Sequence, residues 1–396
     1  MKRLADDFVK VYESPNPDTI FTYSPGLAVL PGGRLIATMD LSGPGIGELN
    51  GPTREMENRK LWFGKVFTSD DRGRTWTHRI DFPFMHARPF LAGGVLYVIG
   101  QCNDLVIMRS DDNGETWSEP AFLTEGTEWQ GVPANVHYAK GNVYMSFERK
   151  VYEIKGWWPS ILAPVLMRAS ENADLTRRAS WTFSSEIAFR DVVPAAELDC
   201  FGTPYVEPPI QPAIGWLESN VVQFVDPDHD LYDPQGKTFH LWMRAHTGGT
   251  GLAAIVKVVE RDDGSMETML ETVPSGRKLV YVPCPGGQMK FHILFDEQTK
   301  LYWLLSSQAT DSMMRTKTPG RERLQLSFSK NCIDWCFAGI VSIGDSPKQS
   351  RHYASMIIDG DDLHVLSRSG DERALNAHDV NFISFHMIRD FRSLVY

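Results

Sequence analysis

The sequence contains no apolar run approaching the roughly 18 uninterrupted residues of a membrane-spanning helix. It also lacks an excess of positive charge, because 40 Lys and Arg stand against 50 Asp and Glu and leave a net charge of −10. Such a charge disfavours nucleic acid and anionic membranes as partners, although a small acidic ligand experiences only its local field. We therefore predict a protein that binds neither nucleic acid nor membrane.

Cysteine is scarce as well. There are five, an odd number, and none belongs to a metal-ligand pattern. Cys332 and Cys336 are four positions apart, but no second pair or nearby His completes a zinc site. An odd count favours a reducing compartment, and residues 1–7 show no apolar signal-peptide core. We predict a cytoplasmic location with no metal and no other cofactor, and the oligomeric state stays open.

Two copies of one turn motif stand out in what the chain does contain. Residues 69–76 read SDDRGRTW and residues 110–117 read SDDNGETW, so both follow S-x-D-x-G-x-T-W. The Asp can fold its carboxylate onto the backbone N–H groups ahead of it, the Gly supplies a positive φ, and the Trp can lie between sheets. Two copies about 40 residues apart predict a repeated four-stranded sheet, as in propeller blades.

This motif resembles the Asp box, or BNR repeat, of the sialidase-like β-propellers. A degenerate third copy begins at Ser329, with Asn331 in the Asp position, and a weaker trace runs from Arg168 to Trp181. In that family the boxes lie on the face away from the catalytic centre. The resemblance and the turn chemistry together imply that the Asp residues of these boxes are structural.

One pattern recurs six times: a polar cluster, an apolar strand, a turn with Gly or Asp, and a second apolar strand. The six pairs lie at 23–37, 86–99, 135–145, 218–242, 288–305 and 351–366. They predict an all-β fold, a six-bladed β-propeller of four-stranded antiparallel blades, as a single domain over residues 1–396. We expect a C-terminal strand at 381–387 to close the ring beside residues 8–12.

The starts of the first strands and the ends of the second strands open on one face of a propeller. Both sets are crowded with Arg, His and amide side chains, and a guanidinium matches a sugar carboxylate or sulfate in bidentate fashion. Each residue taken alone is also explained as a solvated strand end, but convergence from several blades favours a binding site. The predicted substrate-binding residues are His86, Arg88, Asn135, Arg244, His246, Gln288, His292, Arg351 and Arg368.

The predicted catalytic residues are Asp40, Glu218, Tyr353 and His352. Asp40 ends the second strand of the first pair and precedes a Gly- and Pro-rich loop, which suits a proton donor that loop closure desolvates; a turn-forming Asp is the alternative. His352 titrates near neutral pH as a candidate acid or base.

The resemblance to sialidases implies roles for some of these positions. The family's acid/base Asp follows the second strand of the first blade, as Asp40 does, and its Tyr nucleophile opens the last blade, where Tyr353 lies. The family's first-blade signature carries an Arg that binds the substrate carboxylate, whereas residues 23–27 read YSPGL and lack it. A substitute triad from Arg88, Arg244 and Arg351 is one hypothesis.

We predict a sialidase-like, exo-acting glycoside hydrolase whose substrate is an acidic oligosaccharide, with the active site at the axial mouth of the propeller. Asp40 would protonate the leaving oxygen while Tyr353 or Glu218 attacks or stabilises the anomeric centre. Two alternatives stay open. One is a polysaccharide lyase acting on uronate-containing glycans, because Arg and His outnumber carboxylates on the predicted face; the other is a glycan-binding propeller without catalysis.

Overall fold

The computed structural model describes residues 3–55, 61–153, 158–192, 215–245, 251–310 and 320–396. Regular structure in these ranges is almost entirely β. One short helix is α, α1 (Phe189–Val192), and 3-10 turns occur at Ile46–Glu48, Trp158–Ile161, Arg178–Ser180 and Phe391–Leu394. None of the helices described is long and apolar enough to cross a bilayer.

The described strands form six antiparallel blades and one separate two-stranded sheet, and each blade is built from consecutive segments of chain except for the last. The chain begins with β1 (Val9–Glu13), which belongs to the last sheet. The first blade contains β2 (Phe21–Val29), β3 (Leu35–Ser42), β4 (Arg54–Glu55), β5 (Leu61–Ser69) and β6 (Thr77–Phe82). The second contains β7 (Met85–Ala92), β8 (Val95–Cys102), β9 (Asp104–Ser110) and β10 (Ala121–Phe122). The third contains β11 (Trp129–Gln130), β12 (His137–Ala139), β13 (Asn142–Lys150), β14 (Leu162–Ser170) and β15 (Trp181–Phe183).

The second half of the chain repeats this plan. The fourth blade contains β16 (Trp216–Val222), β17 (Thr238–Ala245), β18 (Leu252–Glu260) and β19 (Met266–Met269). A separate small hairpin follows, formed by β20 (Glu271–Thr272) and β21 (Lys278–Leu279). The next strand, β22 (Tyr281–Pro283), returns to the fourth blade and pairs with β18. The fifth contains β23 (His292–Asp296), β24 (Leu301–Ser307), β25 (Arg323–Ser329) and β26 (Cys336–Ile343). The sixth contains β27 (Arg351–Asp359), β28 (Asp362–Ser369) and β29 (Phe382–Ile388), with β1 at its edge. The predicted six-bladed β-propeller is confirmed.

The apolar core is divided among the interfaces between blades. Six clusters of buried side chains each join a blade to its neighbour. Phe90 and Phe147, for example, belong to the cluster between the second and third blades, and Leu27 and Leu366 to the one that joins the first blade to the sixth. Burial of each such side chain contributes about 1.5–3 kcal/mol. Because every blade is covered on both faces, its strands read as the nearly continuous apolar runs seen in the sequence.

The ring is closed by pairing the two ends of the chain. β1 runs antiparallel to β29, with Val9 opposite Phe385 and Glu13 opposite Phe382. The C-terminal strand was predicted to lie beside residues 8–12, and this pairing confirms it. β1 forms the outer edge of the sixth blade, so the seam joins the two ends of the chain within one sheet.

The two turn motifs form hydrogen-bonded clasps. The Asp112 carboxylate accepts hydrogen bonds from the Thr116 backbone N–H at 2.9 Å and the Thr116 hydroxyl at 2.5 Å, and the Ser110 hydroxyl at 2.8 Å. Asp71 repeats this set with Ser69 and Thr75. These bonds lower the pKa of the Asp112 carboxyl to about 2, the Thr116 hydroxyl contributing most. The Asp residues therefore serve the turn.

The clasps lie at the opposite end of the blades from the predicted site. Ser69 is opposite Leu35, at the start of β3, whereas Asp40, near the end of β3, is opposite Gly64. In the second blade Ser110 is opposite Leu96, and Gln101 is opposite Leu105. The propeller therefore has one face of turn clasps and another where second strands end.

We expect Asp112→Ala to lower the midpoint of thermal unfolding, because three donors in the turn lose their acceptor, and to leave any activity of the folded protein unchanged. Asp111→Ala is the matched control, since the Asp111 side chain is 64% exposed and pairs with Arg109. Unfolding followed by circular dichroism measures the difference. Loss of activity with an unchanged midpoint would show that the two faces have been assigned the wrong way round.

Candidate functional site

Strand register brings polar residues of four blades to one end of the propeller. Where each inner strand begins and its partner ends, Tyr23 is opposite Asp40, Met85 opposite Gln101, Leu217 opposite Arg244, and His352 opposite Arg368. The register of all four pairs shifts just beyond these positions. Bulges of this kind re-aim side chains, and they are common next to active sites.

The bulges place three predicted site residues in a rare backbone conformation. His86, Glu218 and Tyr353 have φ of 55°, 65° and 50°. Left-handed φ is uncommon for residues other than glycine and costs about 1–3 kcal/mol where it persists. The same local geometry thus appears at the inner strands of the second, fourth and sixth blades, and it orients the side chains from which the site is built.

Tyr353, Glu218 and Arg244 form the closest cluster in the site. The Tyr353 hydroxyl donates to Glu218 Oε1 at 2.7 Å and accepts from Arg244 Nη1 at 2.7 Å. Arg244 Nη1 also lies 3.4 Å from Glu218 Oε2, and its Nε donates to the Gln288 carbonyl oxygen at 2.9 Å. The phenol is therefore held between a carboxylate that can take its proton and a cation that stabilises the phenolate.

Two further guanidinium groups flank the Tyr353 ring. The Cζ atoms of Arg321 and Arg368 lie 5.8 and 5.2 Å from its centroid. Arg321 Nη1 donates to His352 Nδ1 at 2.7 Å. Arg368 lies 4.0 Å over the Tyr23 ring and donates to the His378 carbonyl oxygen. Both arginines are almost fully buried, and the Nε of each lacks a hydrogen-bond partner.

Burial dominates the electrostatics of this cluster. It raises the pKa of Tyr353 above the usual range for a phenol; the Glu218 charge adds to this rise, and Arg244 and Arg321 oppose it. Burial also lowers the pKa of Arg321 to about 10, a value that leaves it charged at neutral pH. Three buried cations therefore surround one tyrosine, and an anionic ligand is the species that would balance them.

Asp40 lies at the same mouth, in a different environment. Its Oδ1 accepts the His86 backbone N–H at 3.0 Å, while its Oδ2 is buried without a partner. Complete burial raises its pKa to about 7, against the opposing effects of the His86 bond and Arg368. A carboxyl group with this pKa carries a proton through the mildly acidic range, which a general acid requires.

The stability of the fold should report the titration of Asp40. Its pKa is raised above the ordinary 3.8, so the folded state binds the proton more tightly, and stability falls as pH rises from about 4 to about 7. We expect Asp40→Asn to remove a dependence of about 1.4 kcal/mol per pH unit in this window. Denaturant unfolding of both proteins across that range measures it. Glu148, whose pKa burial raises to about 7, is present in both and cancels in the difference. If the free energies of unfolding of the two proteins change with pH in the same way, the raised pKa of Asp40 is contradicted.

His86 and His352 are neutral in these surroundings. Burial lowers the pKa of His86 to about 3 and that of His352 well below the usual range, and nearby arginines add to both effects. His86 Nδ1 lies 2.9 Å from Gln101 Nε2, and His352 Nδ1 accepts from Arg321. The structure thus places His352 as a support for Arg321, and its surroundings do not favour the acid or base role predicted for it.

Three of the predicted substrate-binding residues are engaged by the protein itself. Arg88 donates to main-chain carbonyl oxygens, among them that of Val132 at 2.7 Å. The Asn135 amide makes two 2.7 Å hydrogen bonds with the backbone of Val221 and so joins the third blade to the fourth. His292 Nδ1 lies 3.3 Å from the Met356 N–H, between the fifth and sixth blades. These three residues hold blades together.

Arg351 also lies apart from the cluster. Its Nη1 donates to the carbonyl oxygens of Ser350 and Gly370 at 2.7 and 2.8 Å, and its guanidinium lies over the rings of Phe8 and Phe382, at the seam between the chain ends. The hypothesis of a triad from Arg88, Arg244 and Arg351 therefore requires correction: of these, only Arg244 contacts Tyr353, and the other two cations beside it are Arg321 and Arg368.

We expect Arg351→Ala to lower the free energy of unfolding by about 1.5–3 kcal/mol, the range for lost hydrogen bonds to a charged group, without changing ligand binding at Tyr353. Arg177→Ala is the control, since the Arg177 side chain is 76% exposed. Denaturant unfolding and calorimetric titration with an acidic monosaccharide measure the two effects. If Arg351→Ala unfolds like the wild-type protein but no longer binds the monosaccharide, Arg351 is a substrate-binding residue, as the sequence predicts.

Arg321 is the residue that the sequence prediction missed. It comes just before β25, the third strand of the fifth blade, and only first-strand starts and second-strand ends had been considered. A third strand runs antiparallel to the second, so it starts at the same face, as the pairing of Ser307 with Leu324 shows. The sequence signal was available in the run Gly320-Arg321-Glu322-Arg323.

Two predicted residues remain. Gln288 contributes its carbonyl oxygen to Arg244, and its own Nε2 is buried without a partner. His246 lies outside the described residues. Within the part of the chain that is described, no group of three His, Cys, Asp or Glu side chains is arranged to hold a metal ion.

Comparison with known proteins relates the chain to sialidases by structure and not by sequence. No protein-family model matches it, and no curated protein does. A sialidase from Trypanosoma rangeli in complex with sialic acid superposes with a TM-score of 0.55 at 15% identity, over 100% of this chain and 61% of that one. A leech intramolecular trans-sialidase gives 0.57 at 9% identity, over 96% and 70%.

A protein of unknown function from Dyadobacter fermentans matches in length as well, with a TM-score of 0.52 at 12% identity over 97% of this chain and 98% of that one. The chain therefore spans about three fifths of the trypanosomal enzyme, 61%, and nearly all of the bacterial protein. At these identities the likeness establishes the shared six-bladed propeller fold.

Proposed function

We propose that the protein is a sialidase-like, exo-acting glycoside hydrolase that removes a terminal sugar carrying a carboxylate. The observation that carries this proposal is the contact set of Tyr353 with Glu218 and Arg244, enclosed by Arg321 and Arg368. A tyrosine with a carboxylate in direct hydrogen-bond contact has the arrangement of an activated nucleophile. The shared fold with sialidases supports the same class of chemistry.

The anionic group of the sugar binds the guanidinium cluster. Arg321 and Arg368 each have a buried N–H without a partner, and a planar carboxylate satisfies such donors better than water in a closed site. Arg368 belongs to β28 of the sixth blade, and its guanidinium lies over Tyr23 of β2. It therefore supplies, from another blade, the cation that the first-blade signature would have carried.

The reaction then proceeds by two displacements. Tyr353 Oη attacks the anomeric carbon and transfers its proton to Glu218, while Asp40 gives its proton to the glycosidic oxygen as that bond breaks. Arg244 stabilises negative charge on the phenol oxygen. In the second step a water molecule gives a proton to Asp40 and attacks the anomeric carbon, the bond from that carbon to Tyr353 Oη breaks, and Glu218 returns a proton to the Tyr353 oxygen. Two inversions leave the configuration of the sugar retained.

We expect the protein to release a terminal acidic sugar from at least one member of a panel of acidic oligosaccharides, and we expect Tyr353→Phe to reduce kcat at least about 10²-fold because no nucleophile remains. Tyr138→Phe is the matched control, since that hydroxyl bonds the Leu91 carbonyl oxygen in the second blade. Release is measured by chromatography of the free sugar.

The same panel distinguishes the alternatives. Ultraviolet absorbance from a new carbon–carbon double bond would identify a lyase instead of a hydrolase. Calorimetric binding of an acidic monosaccharide with no turnover of any oligosaccharide would identify a glycan-binding propeller. Neither outcome is compatible with the proposed hydrolase.

A further inference from the structure

A buried lysine lies where blades from opposite sides of the propeller meet. Lys290 is 2% exposed, and its Nζ donates to the Ala354 carbonyl oxygen and lies 3.2 Å from Ser355 Oγ. Ser355 Oγ is in turn 2.7 Å from the Pro25 carbonyl oxygen and 3.0 Å from that of Pro133. These residues belong to the fifth, sixth, first and third blades. Segments of those four blades can meet only at the axis.

The position of Lys290 ties it to the nucleophile of the proposed reaction. Ala354, whose carbonyl it holds, follows Tyr353 directly, within the bulge between His352 and Ser355. Tyr353 has the left-handed φ of 50°. Such a conformation persists only where the surroundings hold it, and the Lys290 ammonium is a direct contact to the backbone of that bulge.

The charges that face Lys290 come from several blades. Glu218 favours its protonated form, and Arg88 opposes it. His292, two residues along its own segment, is kept neutral by burial, with Lys290 and Arg88 adding to the effect. Glu148 is also buried, and its charge favours the protonated form of Arg88. Burial is the largest influence and lowers the pKa of Lys290 to about 7, so the ammonium loses its proton near neutral pH.

We propose that Lys290 is a positioning residue for the Tyr353–Glu218 pair: its ammonium holds the bulge that presents the Tyr353 hydroxyl and supplies a buried positive charge beside Glu218, and deprotonation removes that charge. This inference rests on the proposed function. A residue at the axis of the propeller would then influence the reaction without contacting the substrate.

A purely structural lysine would make the same contacts, so the test must follow its charge. We choose an aryl glycoside of the acidic sugar whose leaving group departs without protonation, because Asp40 then has no part in the first step. For the wild-type protein we expect kcat/KM, which reports the first step alone, to fall as pH rises through about 7, the pKa of Lys290. Lys290→Arg keeps its charge at every accessible pH and should move this fall to higher pH.

Lys290→Met removes the charge at nearly constant length. We expect it to lower kcat/KM roughly 100-fold below neutral pH, the size of effect that a misplaced reacting group produces, with no fall at about 7. Glu148→Gln is the control for the other buried group that titrates there, since its pKa is also about 7; this variant should keep the fall. Circular dichroism establishes that each variant is folded.

Two results would overturn the proposal. One is a folded Lys290→Met protein with the wild-type kcat/KM and pH profile; the other is a Lys290→Arg protein in which kcat/KM falls at the same pH as in the wild type. If Lys290→Met does not fold, Lys290→Arg alone decides. If the wild-type protein hydrolyses nothing, the proposed function fails, and the positioning role is tested separately on the Tyr353 phenol.

That separate test follows the Tyr353 phenol in protein labelled with ¹³Cζ-tyrosine, its resonance assigned from Tyr353→Phe. Loss of a neighbouring positive charge raises the pKa of a phenol. Lys290 is already neutral at the pH where a phenol with a raised pKa titrates, so Lys290→Met should leave the titration of this resonance unchanged, whereas Lys290→Arg keeps the charge and should shift it downward. A titration in Lys290→Arg that stays at the wild-type pH would refute the role of the charge whether or not the protein is an enzyme.

Discussion

The arrangement of the site depends on a backbone constraint at the start of the inner strands. The bulges at His86, Glu218 and Tyr353 turn the chain into a left-handed conformation there. A regular strand would alternate its side chains between the two faces of its own blade. The bulge instead directs a side chain toward the axial mouth, where groups from different blades come within hydrogen-bond distance.

The balance of charges among its side chains also determines the arrangement of the site. Arg244, Arg321 and Arg368 bring three guanidinium groups to one tyrosine, whereas among the described residues Glu218 alone places a carboxylate in direct contact with it. Asp40 is held by burial in an environment that favours its neutral form. An isolated cation is costly to bury, so the fold retains these groups at the expense of stability. A carboxylate ligand would recover part of that cost, which supports the proposal of an acidic sugar as the substrate.

The sequence was sufficient for the architecture because propeller blades are local structures. Each S-x-D-x-G-x-T-W turn is specified within eight residues, and each hairpin by its own apolar runs and turn, so the six pairs could be found without any knowledge of distant contacts. The seam between β1 and β29 followed from counting strands. These features depend on hydrogen bonds and burial that are encoded close together in the chain.

The site was predictable only in part. A polar residue at a strand end can either bond to the main chain of a neighbouring segment or face the mouth of the propeller, and its position in the sequence does not distinguish these alternatives. Arg88 and Arg351 satisfy main-chain carbonyl oxygens of neighbouring segments, whereas Arg244 and Arg368 face the mouth. The difference lies in which carbonyl groups the surrounding loops leave unpaired, a property of tertiary packing. Arg321 was missed for a topological reason, since third strands begin at the same face as second strands end.

The seam also has a consequence for the synthesis of the chain. β1 is made first, but its partner β29 lies more than 370 residues later in the sequence. At ribosomal rates of about 5–20 residues per second, β1 waits roughly 20 s or more with its edge unpaired. The last blade is thus assembled after translation has passed through the other five. Until then the nascent protein carries an open edge strand that can pair with another chain.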